Sequence, residues 1–180
     1  MNYEDHHMEY PHPGDDVDDY VSGRGQEWWD SYFLALAEYV SSASRDPSTK
    51  VGAVIVRPDK TVASMGFNGF PRGFPDRKRD YENRETKYKF IVHAEANAIA
   101  TAREPLQGYT LYTWPLPVCS DCCKLAIQSG IRRFVSFQPN AGQLSRWGES
   151  FRASERMILD CGLSATWYDE NFVDRFADVD

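Results

Sequence analysis

The sequence predicts one α/β domain: a β-hairpin followed by a largely parallel sheet with helices on its faces. Three observations predict it. The 180 residues are 42% hydrophobic and 14% aromatic, enough for a single core without disulfide or other staples. β-branched runs alternate with amphipathic stretches of helical length, the pattern that crossover connections between parallel strands produce. No run reaches the roughly 18 apolar residues that a bilayer span requires.

Residues 1–25 are polar and acidic and have neither strand nor helix periodicity, so they are expected to form a flexible acidic arm ahead of a domain over 26–170 and a tail over 171–180. His6, His7 and His12 in that arm read as incidental rather than as a second metal site. Over 28–44, Trp29, Tyr32, Phe33, Leu36, Ala37 and Val40 recur at helical spacing, and Arg45-Asp46-Pro47 ends the helix. Residues 51–56 (VGAVIV) and 61–67 read as a hairpin around Pro58-Asp59-Lys60. A Gly/Pro-rich loop over 68–75 continues into the charged stretch 76–89. Together these form a surface excursion too polar for the core, and excursions of that length in a compact domain are usually functional.

A second helix begins at His93, a strand covers 109–113, and a proline-rich loop covers 114–118. A helix over 119–129 closes at Gly130, a strand covers 133–137, a helix covers 147–160 with Gly162 as its cap, and a last strand covers 163–168. Trp114 reads as core filler before it reads as a ring that stacks on a ligand.

The net charge of −7 sits in the arm. Residues 1–27 hold eight acids against Arg24 alone, and the rest of the chain holds 19 basic and 19 acidic residues. A neutral domain lacks the basic face that gripping a polynucleotide requires, although it can supply the two or three cations that a small anion needs. No charged start followed by an apolar stretch marks a secretory leader, so a cytoplasmic protein is expected, with no membrane partner.

Three of the four cysteines, Cys119, Cys122 and Cys123, fall within five positions, which in such a chain points to metal or redox chemistry before disulfides. A catalytic zinc site takes three protein ligands and keeps a fourth position for water. His93, Cys119 and Cys122 supply such a set, because both cysteines fall in the first turn of one helix and His93 opens another. Glu95, two residues on, can reach the open position and move protons without ligating. Cys123 faces away from the metal, since consecutive helical residues diverge by about 100°. Cys123 and Cys161 both read as small buried residues. A redox pair at Cys119 and Cys122 would have no use for His93-x-Glu95, and a silent zinc-binding scaffold would have none for Glu95.

His-x-Glu followed by Cys-x-x-Cys is the signature of zinc deaminases. The chain resembles the cytidine deaminase superfamily, and within it the deoxycytidylate (dCMP) deaminase family, from about Trp28 to Tyr168. The resemblance rests on SRDPSTKVGA at Ser44–Ala53, GFNGFPRG at Gly66–Gly73, Thr86-Lys87-Tyr88 before HAEANAI, and IQSGI at Ile127–Ile131. It implies a three-layer α-β-α cytidine-deaminase-like fold with a five-stranded mixed sheet, Zn2+ at the N-termini of two adjacent helices, and hydrolysis of dCMP to dUMP and ammonia. By the same resemblance, water activated at the metal would add to C4 while Glu95 protonates N3. Asn68 would hold the sugar, and the Ala94 N–H would hold the pyrimidine O2. Arg45 first and Lys87 second would meet the phosphate. Relatives commonly form homo-oligomers, hexamers among them. One departure stands out: Pro117-Val118-Cys119 replaces the usual Pro-Cys, and the stretch from Tyr112 to Cys119 is one residue longer than the common pattern. The altered wall widens the candidate bases to 5-substituted cytosines; dCTP and the free nucleoside are rival substrates.

Overall fold

The computed structural model describes residues 24–173, so nearly all of the arm, with its three histidines, and the end of the tail lie outside the described residues. The elements in chain order are α1 (Gln26–Ser41), β1 (Gly52–Val56), β2 (Val62–Phe67), α2 (Lys78–Glu82), α3 (Arg84–Phe90), α4 (Ala94–Thr101), β3 (Thr110–Trp114), α5 (Ser120–Gln128), β4 (Arg133–Phe137), α6 (Ala141–Asp160) and β5 (Ser164–Tyr168). The strands form one five-stranded sheet in the order β2-β1-β3-β4-β5. β1 runs antiparallel to both β2 and β3, whereas β3, β4 and β5 are parallel, which makes the sheet mixed.

β1 is buried along its whole length, which explains its unbroken apolar run: helices cover both faces. Alternation decides which face each residue serves. Val54, Val56, Tyr112, Val135 and Phe137 pack with Phe33, Leu34 and Ala37 of α1. Ala53, Ile55, Leu111 and Phe134 pack with Ala94 and Ala98 of α4, Cys122, Cys123 and Ala126 of α5, and Ile158 of α6. Trp114 packs in the α1-side cluster, as a core filler.

Four expectations are corrected. α1 stops at Ser41, earlier than residue 44: the N–H groups of Ser42, Ala43 and Ser44 turn to carbonyls three residues back, and the Ser41 and Ser42 hydroxyls donate to the carbonyls of Glu38 and Tyr39. α6 begins at Ala141, well before residue 147, because Asn140 and Gln143 form a reciprocal capping box. The excursion over 76–89 is not wholly surface. It folds into α2 and α3, Asn83 caps α3 by accepting the Thr86 N–H at 2.9 Å, and Tyr81 is buried, stacked on Phe70 at 4.1 Å with its hydroxyl on Asp76. Cys161 is exposed rather than buried, because it lies just past the end of α6, whereas Cys123 is fully buried with its thiol toward the Ser154 carbonyl.

Candidate active site and metal centre

Two helix starts meet on the face opposite α1. His93 is the residue before α4, with extended backbone (φ −70°, ψ 156°), and Cys119 stands in the same position before α5 (φ −75°, ψ 163°). Each therefore presents its side chain at a helix N-terminus, where unpaired N–H groups and the helix dipole favour negative charge. The Cys119 sulfur accepts the backbone N–H of Cys122, so the first turn of α5 holds both sulfurs on one side.

The imidazole Nδ1 of His93 lies 3.3 Å from Cys119 Sγ and 3.4 Å from Cys122 Sγ, and all three donor atoms lie within 4.8 Å of one another. Zinc at ordinary bond lengths, about 2.0 Å to nitrogen and about 2.3 Å to sulfur, separates tetrahedral N and S donors by about 3.5 Å. The cluster has that size and the soft-plus-borderline donor set that zinc prefers, so these residues fit the metal. In the metal-free chain the hydrogen bond from Cys122 and then the one from His93 bring the Cys119 thiol down to about 4. Its bond to Cys119, with burial next, pushes Cys122 far up. The hydrogen bond to Cys119 lifts His93 to about 9. A bound cation supplies the positive charge needed for both sulfurs to ionise.

Glu95 sits in the first turn of α4 and is only 4% exposed. Burial, followed by the negative charge on Cys119, pushes its carboxyl above the usual glutamate range. His93, Ala94, Glu95 and Cys119 all line one cavity of about 510 Å³. Its other walls come from the loop after α1 (Asp46 to Thr49), from α2 and α3, from Leu116 and Pro117, and from Trp147 and Phe151 of α6. Trp147, Arg146, Tyr81 and Arg84 were not expected in the site. The first two lie in or beside the unforeseen start of α6, and the others lie on the short helices of the excursion.

The remaining expected residues fare differently. Asn68 lines the cavity, but its amide is already engaged: Oδ1 accepts the Val51 N–H at 2.8 Å, and Nδ2 donates to Thr49 O at 2.9 Å and Asp46 Oδ2 at 3.3 Å. One lone pair of Oδ1 remains free. Lys87 also lines the cavity, with Nζ 2.7 Å from the buried Asp46 carboxylate and on Ser48 Oγ, so its charge is neutralised. Arg45 is 74% exposed, lies 3.5 Å from Asp76 and does not line the cavity. Thr113 Oγ1 pins the lengthened loop by donating to Leu116 O.

Residues 27–138 match the sequence model of the cytidine and deoxycytidylate deaminase zinc-binding region. The chain belongs to that family. Among its relatives, the deaminase of the luxG 3' region of Aliivibrio fischeri is 41% identical over 77% of this chain and 92% of its own. The probable deoxycytidylate deaminase of Drosophila melanogaster is 37% identical over 75% of this chain and 70% of its own. The crystal structure of the dCMP deaminase of cyanophage S-TIM5 with dCMP and dUMP shares the fold, with a TM-score of 0.58 at 24% identity over 76% of this chain and 93% of that one. As in the family, the metal implied here is zinc, and His93, Cys119 and Cys122 are the residues that could hold it. None of the described helices is long and apolar enough to cross a membrane.

Proposed function

We propose that the protein is a zinc-dependent hydrolase that converts dCMP to dUMP and ammonia, with His93, Cys119 and Cys122 as metal ligands and Glu95 as the catalytic acid and base. The observation that carries this reading is the convergence of three ligand atoms within 4.8 Å, two of them on residues that line the cavity, beside a buried carboxyl that lines it too. The names of the relatives and of the matching structure's ligands favour dCMP among cytosine nucleotides.

When bound, zinc supplies Lewis acidity that brings the pKa of a coordinated water toward neutrality. The protein does the rest. Glu95 takes a proton from the attacking water and delivers it to ring N3, and after addition at C4 it hands a proton to the departing amino group. One water is consumed and one ammonia released. Burial raises the Glu95 carboxyl above the ordinary glutamate value, which makes it the stronger base for taking the water's proton. The Ala94 N–H, in the first turn of α4 with no intrahelical acceptor, donates to the pyrimidine O2 and fixes the ring's orientation. Asn68 accepts a sugar hydroxyl proton on its free Oδ1 lone pair while its other bonds hold the loop over 46–51 in place. Leu116 and Pro117 form an apolar wall for the base.

The same reading includes self-association as a homo-oligomer, to which the exposed Met65 and Phe67 on the edge strand β2 could contribute; light scattering tests it. The decisive experiment follows ammonia release from deoxycytidine, dCMP, dCTP and 5-substituted dCMP by the zinc-loaded protein. Turnover of dCMP that disappears in Glu95→Ala, with zinc content retained, is expected. No turnover of any aminated base by the wild type would leave a silent zinc-binding scaffold as the better reading.

A further inference from the structure

A phosphate needs cations that nothing else has neutralised, and the cavity holds two. Apart from the metal-binding cluster, six Asp, Glu, Lys and Arg side chains line it: Asp46, Glu82, Arg84, Lys87, Glu95 and Arg146. Lys87 and Asp46 are paired, Glu82 lies 3.5 Å from Lys78, and Glu95 lies beside the metal ligands. Neither Arg84 nor Arg146 has a carboxylate within ion-pair distance among the described residues. Each guanidinium instead lies over an aromatic ring of its own helix, Arg84 at 5.2 Å from the Tyr88 ring centre and Arg146 at 4.5 Å from that of Trp147. Arg146 Nε also donates to Gly142 O at 3.1 Å. Both rings line the same cavity. A cation–π contact restrains a guanidinium while leaving N–H groups to bind oxygen, and ordering it beforehand lowers the entropy lost when an anion arrives.

We infer that Arg84 and Arg146, approaching from α3 and α6, form a two-sided anion site that receives the phosphate of a nucleotide substrate and sets the preference for nucleotide over nucleoside. The inference rests on the deaminase reading of the cavity. Two guanidiniums match the charge of a phosphate monoester dianion, and each can meet it with paired N–H···O bonds. Arg45, paired with Asp76 outside the cavity, is the rival it displaces.

Charge-assisted bonds of this kind set the scale of the test. In Arg84→Gln and in Arg146→Gln the ratio of kcat/KM for dCMP to kcat/KM for deoxycytidine is expected to fall by about ten- to a hundredfold. Arg156→Gln, at an exposed pair with Asp160 on the far end of α6, should leave the ratio unchanged. Equal losses on both substrates, no loss in either variant, or a collapse of the ratio in Arg45→Gln instead would each overturn the inference. Calorimetry with dUMP and deoxyuridine on the intact protein provides a readout that does not depend on turnover. Weakened dUMP binding in both variants supports the anion site even if the wild type deaminates nothing, an outcome that would sink the deaminase reading alone. Equal dUMP affinity in the wild type and both variants sinks the anion site.

Discussion

The two faces of the sheet treat buried charge in opposite ways. On the α1 side, Asp30 is fully buried and saturated: Arg133 donates to both its oxygens at 2.7 and 2.6 Å, Tyr112 and Tyr168 donate at 2.8 and 2.7 Å, and Gln26 at 2.9 Å. On the α4 side, Glu95 is almost as deeply buried, but it opens on a cavity beside three ligand atoms gathered round a space an ion can fill. The titrations follow. Burial pushes both carboxyls up, yet at Asp30 the bonds from Arg133, Tyr168 and Tyr112 outweigh it and hold the group below its ordinary value, whereas Glu95 stays above. A buried carboxylate saturated by cation and hydroxyl donors fixes the fold; one held above its ordinary pKa beside a cavity is placed to move protons.

The largest effect expected from breaking this contrast is on rate. Glu95→Gln should lower kcat on dCMP by about a hundred- to ten-thousandfold, the usual share of general acid–base catalysis. Zinc content should be unchanged by atomic absorption. In the metal-free protein the variant should be at least as stable as wild type, since it removes a carboxyl that burial disfavours when ionised. A large loss of stability would give Glu95 a structural role like that of Asp30.

Asp30→Ala should show the reverse pattern. Removing one partner of a buried, hydrogen-bonded ion pair costs about 3–5 kcal/mol, because the Arg133 guanidinium loses its counter-charge inside the protein. Denaturant unfolding reads that loss, while zinc bound per folded molecule should not change. A variant with lowered zinc affinity and intact stability would mean the two faces are not separate.

Two glycines sharpen the comparison further. A Cβ on Gly52 would lie 1.9 Å from the Ala37 carbonyl oxygen of α1, and one on Gly66 would lie 2.3 Å from the Ala94 oxygen and 2.4 Å from the Ala98 nitrogen of α4. Both substitutions to alanine force a helix off the sheet and should cost at least about 1–3 kcal/mol. Only Gly66→Ala displaces the helix that carries Glu95 and begins beside His93. It alone should weaken zinc binding in a chelator competition; equal zinc affinity in the two variants would dissociate the site from the seat of α4.

These contrasts also mark what could be read from the sequence. His93, Glu95, Cys119 and Cys122 were legible because each pair lies within a single helix start, where local geometry alone brings the side chains to one side. Fold class was legible because β1 is an unbroken apolar run and because β3 and β4, rich in aromatic and β-branched residues, alternate with helices. Tyr81, Arg84, Arg146 and Trp147 were not. Helices of five and seven residues in a charged stretch are too short for a 3.6-residue period to register, and the start of α6 depends on the cap between Asn140 and Gln143 rather than on apolar spacing. Arg45 and Lys87 looked like free cations because their acids, Asp76 and Asp46, become neighbours only in the folded chain. The network at Asp30 was invisible for the same reason, since all its partners but Gln26 lie on β3, β4 and β5.

The smallest expected effect is on pH dependence, and its sign separates the faces once more. Asp30 and Asp46 both sit below the ordinary aspartate value. At each, burial raises the pKa, and the hydrogen bonds outweigh it: Arg133, Tyr168 and Tyr112 at Asp30, Lys87 and the Ser48 and Thr49 turn at Asp46. A depressed folded pKa contributes stability that is fully present above the unfolded value of about 3.9 and is lost as pH falls through the folded value. Unfolding free energy should therefore be flat near neutrality on account of these groups and decline below about pH 4. In Asp30→Asn the decline should be shallower, because the titrating group is gone while its shape remains. Glu95 works in the other direction: its raised pKa makes the ionised form a liability to the metal-free fold, so chelated Glu95→Gln and wild type should diverge as pH rises above the unfolded glutamate value of about 4.3. Matching acid limbs in Asp30→Asn and wild type would show that the α1-side network does not hold its carboxylate ionised through folding.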